Sequence, residues 1–398
     1  MYKPTAGQPF QTMPPPQTHE VASLCFRELQ PFQKPVFFFC NRPDRYIHRE
    51  GAVVISFQNR HAFPYCVSPK PCQTQTICRH GALFHTKLNN TRMTALKVTA
   101  TARLTGHNAS IFALSPGRSS QEFFSGAGEG WIAAWDLEQP QDGKLEAQVQ
   151  QQIFSLAFEE KSGQIIAGDM NGGVHFINPG QPEGSRSIRH HQKGVFAIKA
   201  VQGWAFTGGG LGKITKWDPA TARPLESLQL TGQSIRAITV SPDQKIMAVG
   251  CSDNNIYLIE PASMQVLARQ EQAHDNSVFA LCFSIDGQTL FSGGRDAHLK
   301  AWAIAGPSIS PLADIPAHWF TINSLALHPQ GLWLASASRD KTIKIWDPGS
   351  LALLKVLEAG RDSGHINSVN SLFWSSCHGQ LISASDDRSI IVWQVEGR

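Results

Sequence analysis

The sequence predicts an all-β fold, a closed ring of seven four-stranded antiparallel blades. Three observations carry that expectation. First, one unit recurs seven times between Leu104 and Trp393: a polar turn, an apolar strand, a Gly/Ser-rich strand, and a strand ending at a fixed mark. The marks are Trp135-Asp136, Ile177-Asn178, Trp217-Asp218, Ile259-Glu260, Trp302-Ala303, Trp346-Asp347 and Trp393-Gln394. They lie 42, 40, 42, 43, 44 and 47 residues apart, and a period of about 40–45 residues holding four strands belongs to a propeller blade. Second, the strands within a unit are joined by short turns, with no room for a crossover helix. Third, the final unit ends after its third strand, while residues 96–104, LKVTATARL, offer an unpaired alternating strand just before the first unit.

The sixth unit, residues 317–347, shows how the elements follow from composition. Ile322, Ser324, Ala326 and His328 alternate with Asn323, Leu325 and Leu327, the period of a strand. Pro329-Gln330-Gly331 is a turn. Residues 332–338 form a second strand of small residues, expected nearest a crowded central axis. Arg339-Asp340-Lys341 turns again, Thr342 to Trp346 is a third strand rich in β-branched residues, and residues 351–357 make the fourth. The other units align on this one, the second to fourth more weakly. An open sheet edge invites aggregation, so the ring must close. Residues 96–104 are expected to pair with Ser389 to Val395 and supply the outer strand of the last blade.

With seven units in phase, the chain resembles the WD-repeat β-propeller family over about residues 97–397. The resemblance implies a hydrogen-bonded tetrad: a His before the first strand, a Ser or Thr on the second, an Asp in the next turn, and the Trp. A buried indole N–H needs an acceptor and a buried carboxylate needs several donors. The matching residues are His274, Ser292, Asp296 and Trp302; His318, Ser336, Asp340 and Trp346; and His365, Ser383, Asp387 and Trp393. The first unit has His107, Ser125 and Trp135, with Glu129 in the Asp place. The third has His190 or His191, Thr207 and Trp217, with Gly212 there; the second and fourth lack His and Trp. Blades five to seven are therefore expected to be stiffest and blades two to four to rely more on apolar packing. The tetrads read as structural rather than catalytic.

The resemblance further implies a non-enzymatic interaction scaffold that needs no cofactor or metal. A partner protein or peptide would meet the face formed by the loops before strand one and between strands two and three. Position by position, that face should display Trp319, Phe320, Arg295, Arg339, Lys341, Asp386, Arg388 and Asn254. Adjacent aromatics with Arg nearby have the composition of an interface hot spot, although either ring could instead fold under a neighbouring loop. A monomeric propeller within a larger complex is the expected state. The alternative is a propeller enzyme with its site at the channel mouth. GGGLGK at 208–213 lacks the Ser or Thr of a phosphate loop and sits in a strand-to-strand turn; no nucleophile elbow or HExxH occurs.

Composition divides the chain at about residue 92. Residues 1–92 hold 11 basic and 4 acidic residues, five of the eight Cys and 11 of the 24 Pro; the rest holds 24 basic and 27 acidic residues. Residues 1–92 are expected to be largely irregular or disordered, and 93–398 to form the ring. Three readings of the first segment stay open: a basic tail for an acidic partner, a zinc module, or sequence foreign to the protein, since Met93 stands where a minimal ring would begin. Cys66, Cys72, Cys78 and His80 are metal-ligand types, but their spacing matches no paired CxxC arrangement. No stretch approaches the roughly 18–20 apolar residues of a membrane span, and no secretion signal is seen. The cytoplasm is the expected compartment. The ring's acidic balance argues against nucleic acid, whose phosphates need a basic patch. A chain beginning at Met93 is expected to keep the full chain's cooperative thermal transition and midpoint in circular dichroism. Loss of that transition would show that the ring needs upstream residues.

Overall fold

Seven β-branched residues, Ile111, Ile153, Val195, Ile235, Val278, Ile322 and Val369, open the first strands of seven four-stranded antiparallel sheets. This is the architecture of a computed structural model of the chain, which describes residues 96–140 and 143–397. The expectations for residues 1–92, including Cys66, Cys72, Cys78 and His80, lie outside the described residues. In six sheets the four strands lie side by side in chain order. In the seventh, Val369–Trp374, Leu381–Ser385 and Ile390–Glu396 are completed by Lys97–Leu104 from the other end of the repeat region. Lys97 pairs with Glu396 and Leu104 with Ile390, so the ring closes as predicted, one residue further along than expected. Lys97 Nζ also lies 3.2 Å from Glu396 Oε2, and Thr101 Oγ1 donates to the Val392 carbonyl at 3.1 Å. Among the described residues no helix is long and apolar enough to cross a membrane.

The first strands, and not the second, surround the axis. They line a channel of about 700 Å³, into which Lys199, Arg236 and Cys282 also reach. The small residues of the second strands have a different cause from the one expected. A Cβ on Gly126 would stand 2.6 Å from Ile153 Cγ2 of the next blade, and one on Gly208 would stand 2.4 Å from Ile235 Cγ2. Gly168, Gly250 and Gly293 meet Val195, Val278 and Ile322 in the same way, each closer than 3.0 Å. In the last two blades Ala337 and Ala384 take this place, sharing apolar clusters with Val369 and Ile111. Each β-branched residue is thus seated on the preceding blade, at most 1% exposed. The seven apolar clusters form between neighbouring blades; one joins Phe206 and Ile214 to Ile235, Val249, Tyr257 and Ile259.

Just after each seated residue the pairing slips by one. The slips fall between Ile111 and Ala113, Ile153 and Ser155, Val195 and Ala197, Ile235 and Ala237, Val278 and Ala280, Ile322 and Ser324, and Val369 and Ser371. An extra residue of this kind is left unpaired and re-aims its side chain. The simple alternation expected from Ile322 to His328 is therefore broken at Asn323. The turn between strands two and three also repeats one feature, a left-handed residue at Gly130, Gly172, Gly212, Asn254, Ala297, Lys341 and Arg388. At the three glycines a Cβ would stand 2.0–2.1 Å from a carbonyl oxygen of the following loop. Gly208→Val is expected to lower stability by about 1–3 kcal/mol through overpacking against Ile235. Gly232→Ala, where nothing lies within 4 Å of the added carbon, should leave stability unchanged. Urea denaturation of both variants checks this, and equal midpoints would contradict it.

Candidate functional site

The loops of one face are held in place by chains of hydrogen bonds that begin in the core. In the sixth blade Trp346 Nε1 donates to Ser336 Oγ at 2.8 Å. Ser336 Oγ lies 2.7 Å from His318 Nε2, and His318 Nδ1 lies 2.8 Å from Asp340 Oδ2. With the indole donating to the hydroxyl, the hydroxyl donates to Nε2, leaving Nδ1–H to face the carboxylate. The fifth blade repeats the chain through Trp302, Ser292, His274 and Asp296 at 2.8, 2.7 and 2.9 Å. The seventh repeats it through Trp393, Ser383, His365 and Asp387 at 2.9, 2.8 and 2.9 Å. The carboxylate also accepts from the loop before strand one: from the amides of Trp319 at 3.1 Å, Asp275 at 3.0 Å and Ile366 at 3.1 Å. One buried group therefore ties both loops of the face together.

The charge states follow from this arrangement. Burial alone would raise the Asp340 carboxyl, but His318, Thr342 and the Trp319 amide outweigh it and hold it well below the usual carboxylate range. Asp387 is held down against burial by His365, Ser389 and the Ile366 amide, and Asp296 by His274 and two amides. Burial lowers His318 despite Asp340 beside it. His191, buried with no acid opposite, is pushed down to about 3.

The other four blades depart from the expectation in instructive ways. Glu129 does complete the first tetrad: it bonds His107 Nδ1 and accepts from the Ala109 amide at 3.1 Å. In the third blade His191, not His190, reaches Thr207 Oγ1 at 2.8 Å, and Trp217 donates to the same oxygen at 2.8 Å. Leu211 occupies the Asp place there; Gly212 is the next residue, in the left-handed conformation at φ +75°. Blades two and four carry polar networks of their own beside their apolar packing. Asp169 Oδ2 lies 3.0 Å from His175 Nε2, and His175 Nδ1 lies 2.7 Å from Ser187 Oγ. Tyr257 donates to Asp253 at 2.7 Å, and burial with that carboxylate pushes its phenol up to about 12. A His on the third strand, six residues beyond an Asp that closes the second, was the available signal for blade two.

On the face itself Trp319 is 86% and Phe320 59% exposed, so neither folds under a loop; Ile366 follows at 64%. Arg295, Arg339, Lys341 and Arg388 are exposed in the turns, and Asn254 is half-buried. Among the described residues none of these four cations has a carboxylate within 4.0 Å. Asp386 accepts from Asn370 Nδ2 at 2.8 Å. Inside this rim stands a ring that the sequence reading missed, the seven bulge residues Phe112, Phe154, Phe196, Arg236, Phe279, Asn323 and Asn370, all half-buried. Phe112 and Phe154 pack edge to face at 5.1 Å, and Phe154 and Phe196 lie 5.4 Å apart. The Arg236 guanidinium sits 4.1 Å from the Phe196 ring centroid and 5.2 Å from that of Phe279. Among the described residues no three His, Cys, Asp or Glu side chains gather as metal ligands.

The family model described as WD domain, G-beta repeat matches residues 223–260, 265–303, 309–347 and 355–394, ending in blades four to seven. A crystal structure of the WD40 β-propeller domain of Doa1 superposes with a TM-score of 0.65 at 18% identity, covering 75% of this chain and 96% of that one. The chain is a seven-bladed β-propeller that carries WD repeats. Among curated relatives, the Target of rapamycin complex subunit wat1 of Schizosaccharomyces pombe is 25% identical over 159 residues, covering 40% of this chain and 48% of that protein. Protein groucho of Drosophila melanogaster is 26% identical over 194 residues, covering 47% and 24%. Protein HIR1 of Eremothecium gossypii is 27% identical over 153 residues, covering 32% and 18%. The WD-repeat chain thus spans less than half the length of the curated relatives it matches.

Acid should loosen this ring in two stages. His191 and His318 have folded pKa values below the unfolded value, so the unfolded chain gains protons first as pH falls below about 6.5. Asp296, Asp340 and Asp387 stay ionised in the fold, so their contribution, full at neutral pH, is lost as pH falls below about 4. The melting midpoint is therefore expected to decline from pH 6.5 and steepen below 4; a midpoint constant from pH 7 to 3.5 would contradict it.

Proposed function

We propose that this WD-repeat propeller is a non-enzymatic scaffold that binds a partner protein or peptide on the face carrying Trp319. The observation that carries the reading is Trp319 itself. It is 86% exposed, while its backbone amide is fixed by Asp340, so a large apolar side chain stands in water on a rigid loop. Exposing such a ring costs free energy that a partner would recover, and Trp with neighbouring Arg is the usual make-up of a hot spot. Phe320, Arg295, Arg339, Lys341, Asp386 and Arg388 share the loops of this face. One relative is a subunit of the Target of rapamycin complex, which supports a life within a complex. A single propeller bound to larger partners is the proposed state. The cytoplasm is the proposed compartment, in keeping with the free thiols of Cys251, Cys282 and Cys377.

Against an enzyme stand the groups that line the channel. Cys282 is pushed up to about 11 by burial, the reverse of an activated thiol. The tetrad carboxylates are committed to His and backbone donors. In affinity capture from native extract, the double variant Trp319→Ala, Arg339→Ala is expected to lose at least one partner retained by the wild-type chain. An identical set of partners on both would move the binding surface off this face.

A further inference from the structure

Three arginines from consecutive blades stand at the mouth without a counter-charge. Arg236 comes from the bulge of the fourth blade, and Arg295 and Arg339 from the turns of the fifth and sixth. Arg236 is held from two sides by the Phe196 and Phe279 rings, and its Nε donates to Ser252 Oγ at 3.1 Å. Among the described residues its two terminal nitrogens have no protein acceptor, and no carboxylate lies within 4.0 Å of any of the three arginines. Burial and the charge of Arg295 both act to lower the Arg236 pKa, as expected where like charges gather and no acid answers them. A guanidinium fixed between two rings has already lost its rotamer freedom, and it presents a planar fork suited to a carboxylate. Beside it, the contact chain from Phe112 through Phe154 to Phe196 gives a half-buried apolar floor.

We propose that the channel mouth is an acidic-peptide site, in which Arg236, Arg295 and Arg339 take Asp or Glu side chains and the Phe112–Phe154–Phe196 floor takes an adjacent apolar side chain. This deepens the scaffold reading and rests on it. Charge complementarity selects the occupant: a basic or neutral peptide would leave three guanidiniums unanswered in a partly dry mouth. A nucleic-acid strand shares the taste for Arg and aromatic rings but needs a basic track along its backbone. Here the three mouth arginines lie in adjoining blades, and in the next one Asp386 stands beside Arg388.

The test pans a library of displayed twelve-residue peptides against the full chain and against Arg236→Gln, Arg295→Gln. Enrichment of peptides rich in Asp and Glu with one or two apolar residues, on the wild type only, is the expected result. Fluorescence anisotropy of the most enriched peptide should show binding at least tenfold weaker in the double variant and weakening as salt rises. Arg236→Lys, which keeps the charge but not the plane, should fall between. Arg295 is exposed in a turn, so Arg295→Gln alone still reports if the double variant fails to fold. Neutral or basic peptides enriched, no peptide enriched, or acidic peptides held equally by folded variants would overturn the proposal. So would an oligothymidine of the same length that binds as tightly and depends on the same arginines. If panning fails while Trp319 and Arg339 still govern partner capture, the scaffold reading stands and only the acidic chemistry falls.

Discussion

The seating of one β-branched residue from each blade against a Gly or Ala of the blade before sets the geometry of the whole ring. The contact leaves no slack: at Gly126, Gly168, Gly208, Gly250 and Gly293 even a single added carbon would come closer than 3.0 Å to its neighbour. Sheets with larger side chains at this level would stand further apart, and seven would no longer meet head to tail. The same closeness explains why the second strands read as runs of Gly, Ser and Ala. It also places the bulge, because the seated residue must turn toward its neighbour while the strand continues down the channel. Closure by Lys97–Leu104 then matters beyond pairing one edge, since it locks the blade whose Val369 sits on Ala337 and whose Ala384 receives Ile111.

A second constraint acts from core to surface. Burying a Trp requires an acceptor for its N–H, and burying that hydroxyl's partners requires an ionised carboxylate with several donors. In blades one and five to seven the carboxylate draws two loop segments onto itself. Glu129 shows that the requirement is for an oxygen at a place in space, which a longer side chain can satisfy. Blades two and four meet the need for order with other networks, Asp169 to His175 to Ser187 and Tyr257 to Asp253.

Seven blades, their strand order and the closing strand were legible because each depends on periodicity, and a period survives local substitutions. Individual positions within a blade were legible where a polar side chain marked the register, as Asp296, Asp340 and Asp387 do. In the third blade Gly208, Gly209, Gly210 and Gly212 offer no such mark, and the Asp place was set one residue late. The bulge was not legible, because an extra residue in one strand looks like ordinary alternation until the partner strand is known. The ring from Phe112 to Asn370 was missed for that reason: its members share a level in space, while in sequence each is just the second residue of an apolar strand.

The repeated scaffold also explains where individuality can reside. The seated residue, the small residue beneath it and the tetrad answer to the ring, and changes there cost stability. The bulge residue and the first residue of the following turn are less bound to it, although Asn323 and Asn370 donate to the Val369 and Ile111 carbonyls of the next blade. The turn's backbone is pinned by its amide, from Met170 to the Gln152 carbonyl at 3.0 Å, Arg295 to Ser277 at 2.9 Å and Arg339 to Thr321 at 3.0 Å, whatever the side chain. These two positions in seven blades make an array of rigidly placed, freely chosen side chains around the mouth. In this chain the choice is uneven: Phe in blades one to three and again in five, one Arg in each of blades four to six, Asn and Asp in the seventh. A ring built by near-identical contacts thus presents a polar and directional surface, and its direction is what a ligand can read.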